Sequence, residues 1–144
     1  MIHEIIKFIV MCIIGIFLNP MNMLLNDISD FYFSLTLFYG GLLMASNMIW
    51  SHEILHFMLM KHMNIQVFFI GIILSIISIT LLRTQFLVND NQWLKRMISH
   101  HSTALTTSKK VFEKSENINI KNISQQIIDT QNEEIRTMKS YLDS

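Results

Sequence analysis

Three stretches of large apolar residues fill the first 82 positions, and a polar tail with helical periodicity follows them. The first stretch runs from Ile5 to Leu25 and is interrupted by Asn19-Pro20. The second runs from Phe31 to Met60 and is most apolar as far as Trp50. The third, Ile65 to Leu82, contains no charged residue. A helix needs roughly 20 apolar residues to cross the hydrocarbon core of a bilayer, so the pattern predicts three transmembrane helices. A proline in the first is tolerable where neighbouring groups satisfy the freed carbonyl. The links Asn26–Asp30 and Lys61–Asn64 are short, which predicts neighbouring helices running up and down. Glu4 offsets Lys7 and no small-residue cleavage site follows the first stretch. It is therefore expected to be retained rather than removed as a signal peptide.

Residues 83–144 predict a soluble, antiparallel two-helix hairpin, with helices over about 90–115 and 119–142. Asn89 or Asp90 suits the first N-cap. Leu94, Met97, Ile98, His101, Ala104, Leu105, Val111 and Phe112 then recur at the three-four spacing of one buried stripe. The polar run Ser115 to Asn119 suits the turn. Ile120, Ile123, Ile127, Gln131, Ile135, Met138 and Leu142 form the matching stripe on the second helix, while Glu133, Glu134, Arg136 and Lys139 are expected on its outer face. So small a hairpin needs a further surface to bury its core, so docking on the spans, on a second copy or on another membrane protein is expected. The fold class is thus all-α, with a membrane domain over 1–82 and a hairpin domain over 83–144.

Composition agrees with a membrane protein. The chain is 51% hydrophobic and 15% charged, where soluble domains carry about 25% charged residues. Six of the 22 charges fall before position 83 and sixteen from Arg83 onward. The expected setting is a multi-pass protein in the lipid bilayer. Lys7 and Lys61 would face one side and Arg83, Lys95 and Arg96 the other. That count is too even for the positive-inside rule, and the expectation carried forward is an extracytoplasmic hairpin. Net charge is zero and the tail's cations alternate with acids, so no basic stripe favours nucleic acid. Cys12 is the single cysteine, which excludes an internal disulfide and a cysteine-only zinc site.

Folding the hairpin about a turn near residue 117 places residue i opposite roughly 234 minus i. His101 then meets the Gln131–Glu134 turn, and Met97 meets Met138. Met97, His100 and His101 are related by i,i+3 and i,i+4 on one helix, so their side chains can converge. Two imidazoles and two thioethers suit a soft ion, with Cu(I) first. The Glu134 carboxylate widens the choice to Zn(II) or Cu(II). Set against this, a Met at helical spacing is usually core filler, and paired histidines are usually hydrogen-bonded structure.

The segment Met97-Ile98-Ser99-His100-His101-Ser102-Thr103-Ala104, followed by Gln131, Glu134-Ile135 and Met138, resembles the signature of the family called domain of unknown function 305. The pattern there is Met-x-x-His-His, then Gln-x-x-Glu-Ile-x-x-Met. Arg83-Thr84-Gln85, Asp90 and the Met-rich second stretch also resemble its membrane-anchored members. The resemblance implies a ferritin-like helical bundle and, as in some members, copper bound through Met and His. Carried over by position, the ligands would be Met97, His100, His101 and Met138, supported by Gln131 and Glu134. Two departures stand out: Thr106-Thr107 occupies a place where a soft ligand is common, and Ser99 one where proline is common.

A second motif lies in the second stretch. His52-Glu53-Ile54-Leu55-His56 matches H-E-x-x-H, in which two histidines hold zinc and the glutamate acts as general base. No third ligand is announced by the pattern, and the polar groups just beyond Trp50 also suit a membrane boundary. Met44, Met48, His52 and His56 step by four along one helix and could guide a soft cation; packing between helices is the plainer reading. No phosphate loop, activated nucleophile or paired Glu-x-x-His set is present. The expectation is a non-enzymatic protein that binds a copper-like ion for storage, handling or sensing. The alternatives are an interaction or oligomerisation module and, third, a membrane zinc peptidase.

Overall fold

The computed structural model describes residues 2–143, which are helical throughout with no strand among them. They form two compact units. One comprises 2–19 and Leu35–Leu87, and the other Pro20–Ser34 and 88–143. The chain therefore passes between the units three times.

The first unit holds α1 (Ile2–Phe17), α3 (Leu35–Met60) and α4 (Ile65–Thr84), with α3 packed against both others. Its contact faces are rich in small and polar residues, with Ile16, Leu37 and Tyr39 buried among them. Gly15 of α1 lies on Gly41 and Met44 of α3, and a Cβ on Gly41 would run into Ile16 and the Cys12 carbonyl. On α4, Gly71 lies against Trp50, and Ser75 and Ser78 are buried at the following positions of the same face. Ser75 Oγ donates to Asn47 Oδ1 at 3.0 Å. Small residues at four-residue spacing let helix backbones approach closely, the packing device of helices in lipid. The large apolar side chains point the other way: Ile9 and Ile13 of α1 and Phe69, Ile70, Ile73, Ile76 and Ile77 of α4 are exposed.

Two helical stretches, Ile2–Met23 and Ile65–Thr84, are long and apolar enough to cross a membrane, with only 22% and 17% of their most apolar windows buried inside the protein. This corrects the expected three. The middle stretch does form a 26-residue helix, but Asn47, Ser51, His52, Glu53 and His56 lower its hydropathy below that of a span. Helix α3 uses those polar groups internally: buried Glu53 accepts from the Asn64 N–H at 2.8 Å, and Asn64 in turn caps α4. At the other end of the pair, Tyr39 Oη donates to the Phe86 carbonyl at 2.8 Å.

The second unit contains α5 (Asp90–Lys114) and α6 (Ile118–Leu142), which form the hairpin, together with the short α2 (Pro20–Met23) and a single 3-10 turn at Ile28–Asp30. Asn89 caps α5 by accepting from the Gln92 N–H at 3.0 Å. The core is Leu94, Ile98, Leu105, Ile135 and Met138, with Met97, Tyr32, Ile128 and Leu142 packed on it. The other half of the expected stripe is not buried: Val111, Phe112, Ile120, Ile123 and Ile127, near the turn, are exposed. Toward the turn the helices bury small residues, Ser108 and Ser124, whereas the large apolar core lies toward the open end, where a third piece of chain covers it.

That piece is the segment read from sequence as a simple link between spans. It docks as a strap on α5 through two buried serines. Ser102 Oγ donates to Asp30 Oδ2 at 2.6 Å and accepts from the Asn26 N–H at 2.9 Å. Ser99 Oγ donates to the Asp30 carbonyl at 2.8 Å and accepts from the Tyr32 N–H at 3.3 Å. From α6, Lys139 Nζ reaches Asp30 Oδ1 at 2.6 Å, so Lys139 belongs to this junction rather than to the free outer face. Asp30 is 4% exposed, and a buried carboxylate persists only when paired and hydrogen-bonded.

Replacing Lys139 with Met should therefore destabilise the second unit by about 1–3 kcal/mol, below the usual cost of breaking a fully buried pair because the ammonium is partly solvated. Asp30→Asn should have an effect of similar size. The Asp30 hydrogen bond raises the Lys139 pKa above its ordinary 10.5, its charge adding to the shift against the opposing effect of burial. This contribution is present below that value and is lost as pH rises through the folded pKa. Thermal unfolding should show a steeper alkaline loss in the wild type than in Lys139→Met; identical curves would remove the junction's role.

Candidate metal-binding site

Helices α5 and α6 bring three of the expected residues to one place. His101 Nδ1 and Glu134 Oε2 are 2.9 Å apart, within one residue of the pairing expected from a turn at 117. Gln131 Nε2 donates to the same Glu134 oxygen at 3.3 Å. The carboxylate is about half exposed, whereas the His101 side chain is 16% exposed. The approach is short but off the ring N–H direction, so this buried nitrogen has no aligned hydrogen-bond partner. The atoms are close, and the misalignment leaves the nitrogen's directional bond unmade.

His100 lies on the solvent side of His101, with the rings edge to face at 5.9 Å between centroids. Local burial holds its pKa below the ordinary 6.5, and the charges of Arg96 and His101 act in the same direction. Neutral imidazole is the form that binds metal.

The two methionines lie elsewhere in function. Met138 is a buried member of the hydrophobic core and Met97 packs against that core, so both thioethers fill space between the helices. Thr106 Oγ1 is buried without a hydrogen-bond partner, and Thr107 Oγ1 donates back to the carbonyls of its own helix at 3.2 and 3.1 Å. Neither threonine makes a contact that replaces a soft ligand. Ser99, the other departure, has a clear purpose, because its hydroxyl anchors the strap. Among the described residues no group of three or more His, Cys, Asp and Glu side chains is arranged to hold a metal ion. Any site in the hairpin thus rests on His100, His101 and Glu134 with amide or thioether help.

In the first unit the H-E-x-x-H histidines stack on each other at 6.2 Å between centroids. His56 Nδ1 is 2.7 Å from the His62 carbonyl, which makes that nitrogen the donor. Glu53 turns inward to the Asn64 N–H, with His52 Nδ1 at 3.8 Å from its other oxygen. The glutamate thus steadies the start of α4, where the helix dipole favours a negative charge. Met44 packs beside Gly15, and Met48 is half exposed further along α3.

Sequence reasoning missed Asp30, Ser102 and Lys139 as one cluster. The available signal was an acid in a region with only five other charges, placed between apolar stretches.

His100 should titrate below 6.5 when followed by its ring proton resonances. Because the unfolded chain then binds the proton more readily, its stability contribution is lost as pH falls below 6.5 toward the folded value. His100→Gln should flatten that acid limb of stability; an unchanged limb would assign it to other groups.

A family model described as Domain of unknown function (DUF305) matches residues 79–142, from the end of α4 through α6. An uncharacterized protein of Acanthamoeba polyphaga mimivirus is 38% identical over 130 residues, covering 88% of this chain and 83% of that protein. No solved structure matches the chain.

Proposed function

Because the chain belongs to the DUF305 family, we propose that it is an integral membrane protein whose hairpin binds a copper-like metal ion for storage, handling or sensing, without catalysing a reaction. The membrane part of this reading is supported by the inverted first unit. Small and polar residues are prominent between its helices while most isoleucines face outward, an arrangement that suits lipid and not water. In that setting α1 and α4 are the spans, and the polar groups of α3 turn to neighbours.

The observation that carries the metal part is the His101 nitrogen, buried and unaligned, 2.9 Å from the Glu134 carboxylate. A cation seated beside this pair would give the imidazole the directional bond it lacks. The adjacent His100, kept neutral, supplies a second nitrogen. When bound, the ion would be held by His100, His101 and Glu134. Gln131 orients the carboxylate, and Met97 or Met138 supplies sulfur only by leaving its core position. Imidazole with carboxylate accommodates Cu(II) or Zn(II), and recruitment of sulfur would favour Cu(I).

The full chain in mild detergent should bind copper at a defined stoichiometry. His100→Ala with His101→Ala should lower the affinity at least tenfold, measured by competition with a chelator of known affinity. Equal affinity in that variant would reject the proposed ligands.

The exposed apolar residues at the hairpin turn support a second reading, an association module. Ile118, Ile120, Ile123, Val111 and Phe112 are uncovered at one end of a polar unit, and such a patch marks a contact surface. Ile123→Lys should then shift sedimentation of the detergent-solubilised protein toward the monomer. An unchanged oligomeric state would remove this reading.

A further inference from the structure

A second group of soft donors lies in the first unit. Glu4, Lys7, Met11, Met48, Ile49 and His52 line one cavity of about 60 Å³ between α1 and α3. A single water needs roughly 10–15 Å³ by the same kind of measure, so the space holds an ion with a small shell. Glu4, Lys7 and Met11 share one face of α1 at three- and four-residue steps, and Met48 and His52 are one turn apart on α3. Sequence reading had placed Met48 and His52 on a stripe, but the contribution of α1 is visible only in the fold. Two thioethers from different helices and an imidazole therefore surround one small space.

We propose that Met11, Met48 and His52 form a binding site for a monovalent soft cation, of which Cu(I) is the biological form and Ag(I) a suitable probe. Thioethers are uncharged and polarisable, which suits soft ions. His52 presents Nδ1 toward Glu53 at 3.8 Å, which leaves Nε2 to act as the donor to metal. Charge at the rim is balanced. Lys7 Nζ pairs with Glu4 Oε1 at 2.9 Å, so the carboxylate is compensated and the pocket offers no net negative charge. The balanced pair neither strongly attracts nor strongly repels a cation, so the uncharged thioethers set the preference for a soft ion. None of its residues belongs to the hairpin, so it stands or falls separately from the reading above.

The test is a titration of the full chain in detergent micelles with Ag(I), following the methyl signals of isotopically labelled methionines. The Met11 and Met48 signals should shift together and saturate at one equivalent, both in the wild type and after His100→Ala with His101→Ala. Met11→Leu with Met48→Leu keeps apolar volume, and should remove that equivalent while helical content by circular dichroism is unchanged. Lys7→Gln should tighten Ag(I) binding severalfold and bring detectable binding of a divalent ion. Silver that moves only the Met97 and Met138 signals, or binding untouched by the double leucine variant, would overturn the proposal. Loss of copper binding confined to the His100 and His101 variant would bear on the hairpin alone.

Discussion

The buried carboxylate of Asp30 is the constraint around which the second unit is organised. It receives a hydroxyl from Ser102 and an ammonium from Lys139, and its own backbone carbonyl receives Ser99. Three segments distant in sequence are thereby fixed to one another: the strap, α5 and α6. A charge removed from water requires all of these partners together, so the strap cannot slide by a residue without leaving a carboxylate unpaired. The same junction covers the open end of the hairpin, where Leu94, Ile98, Ile135 and Met138 make the core. It thereby holds α5 and α6 in the register that brings His101 to Glu134.

This gives the paired histidines a physical context. The residues flanking them, Ser99 and Ser102, face the strap, whereas His100 and His101 lie on other sides of the same helical turns. One short segment of α5 thus performs two tasks separated by rotation about the helix axis. Its serines fix the strap and its histidines meet α6 and solvent. The side chains that sequence resemblance places together as ligands divide accordingly, the imidazoles and carboxylate toward the rim and the thioethers into the core.

The first unit inverts the usual arrangement. In water, large apolar residues are buried and small polar ones exposed. Here Gly15, Gly41, Gly71, Ser75 and Ser78 are inside, with a few large residues such as Ile16 and Leu37, and most of the isoleucines are outside. Hydroxyls along α4 remain satisfied by donating to carbonyls one turn back, as Ser78 does to Leu74 at 2.8 Å. Such self-sufficiency is needed wherever no water can help.

The sequence by itself determined the helical content, the apolar character of the first half (read as three spans, of which two are long and apolar enough to cross a membrane), the hairpin turn near 117 and hence the approach of His101 to Glu134. Each follows from spacing along a single helix or about a single turn, which local periodicity records. Only the tertiary structure decided that α3 is a polar-faced partner and that 26–32 is a docked strap. It also decided that Lys139 faces inward and that Met138 is core. Met11 joined Met48 and His52 by the same route. Those outcomes depend on contacts between residues far apart in the chain, and hydrophobic pattern carries no record of which distant group will satisfy a buried charge or fill a given space. A lone Asp30 between apolar stretches looks like a solvated loop until Ser102 and Lys139, more than seventy positions away, are folded onto it.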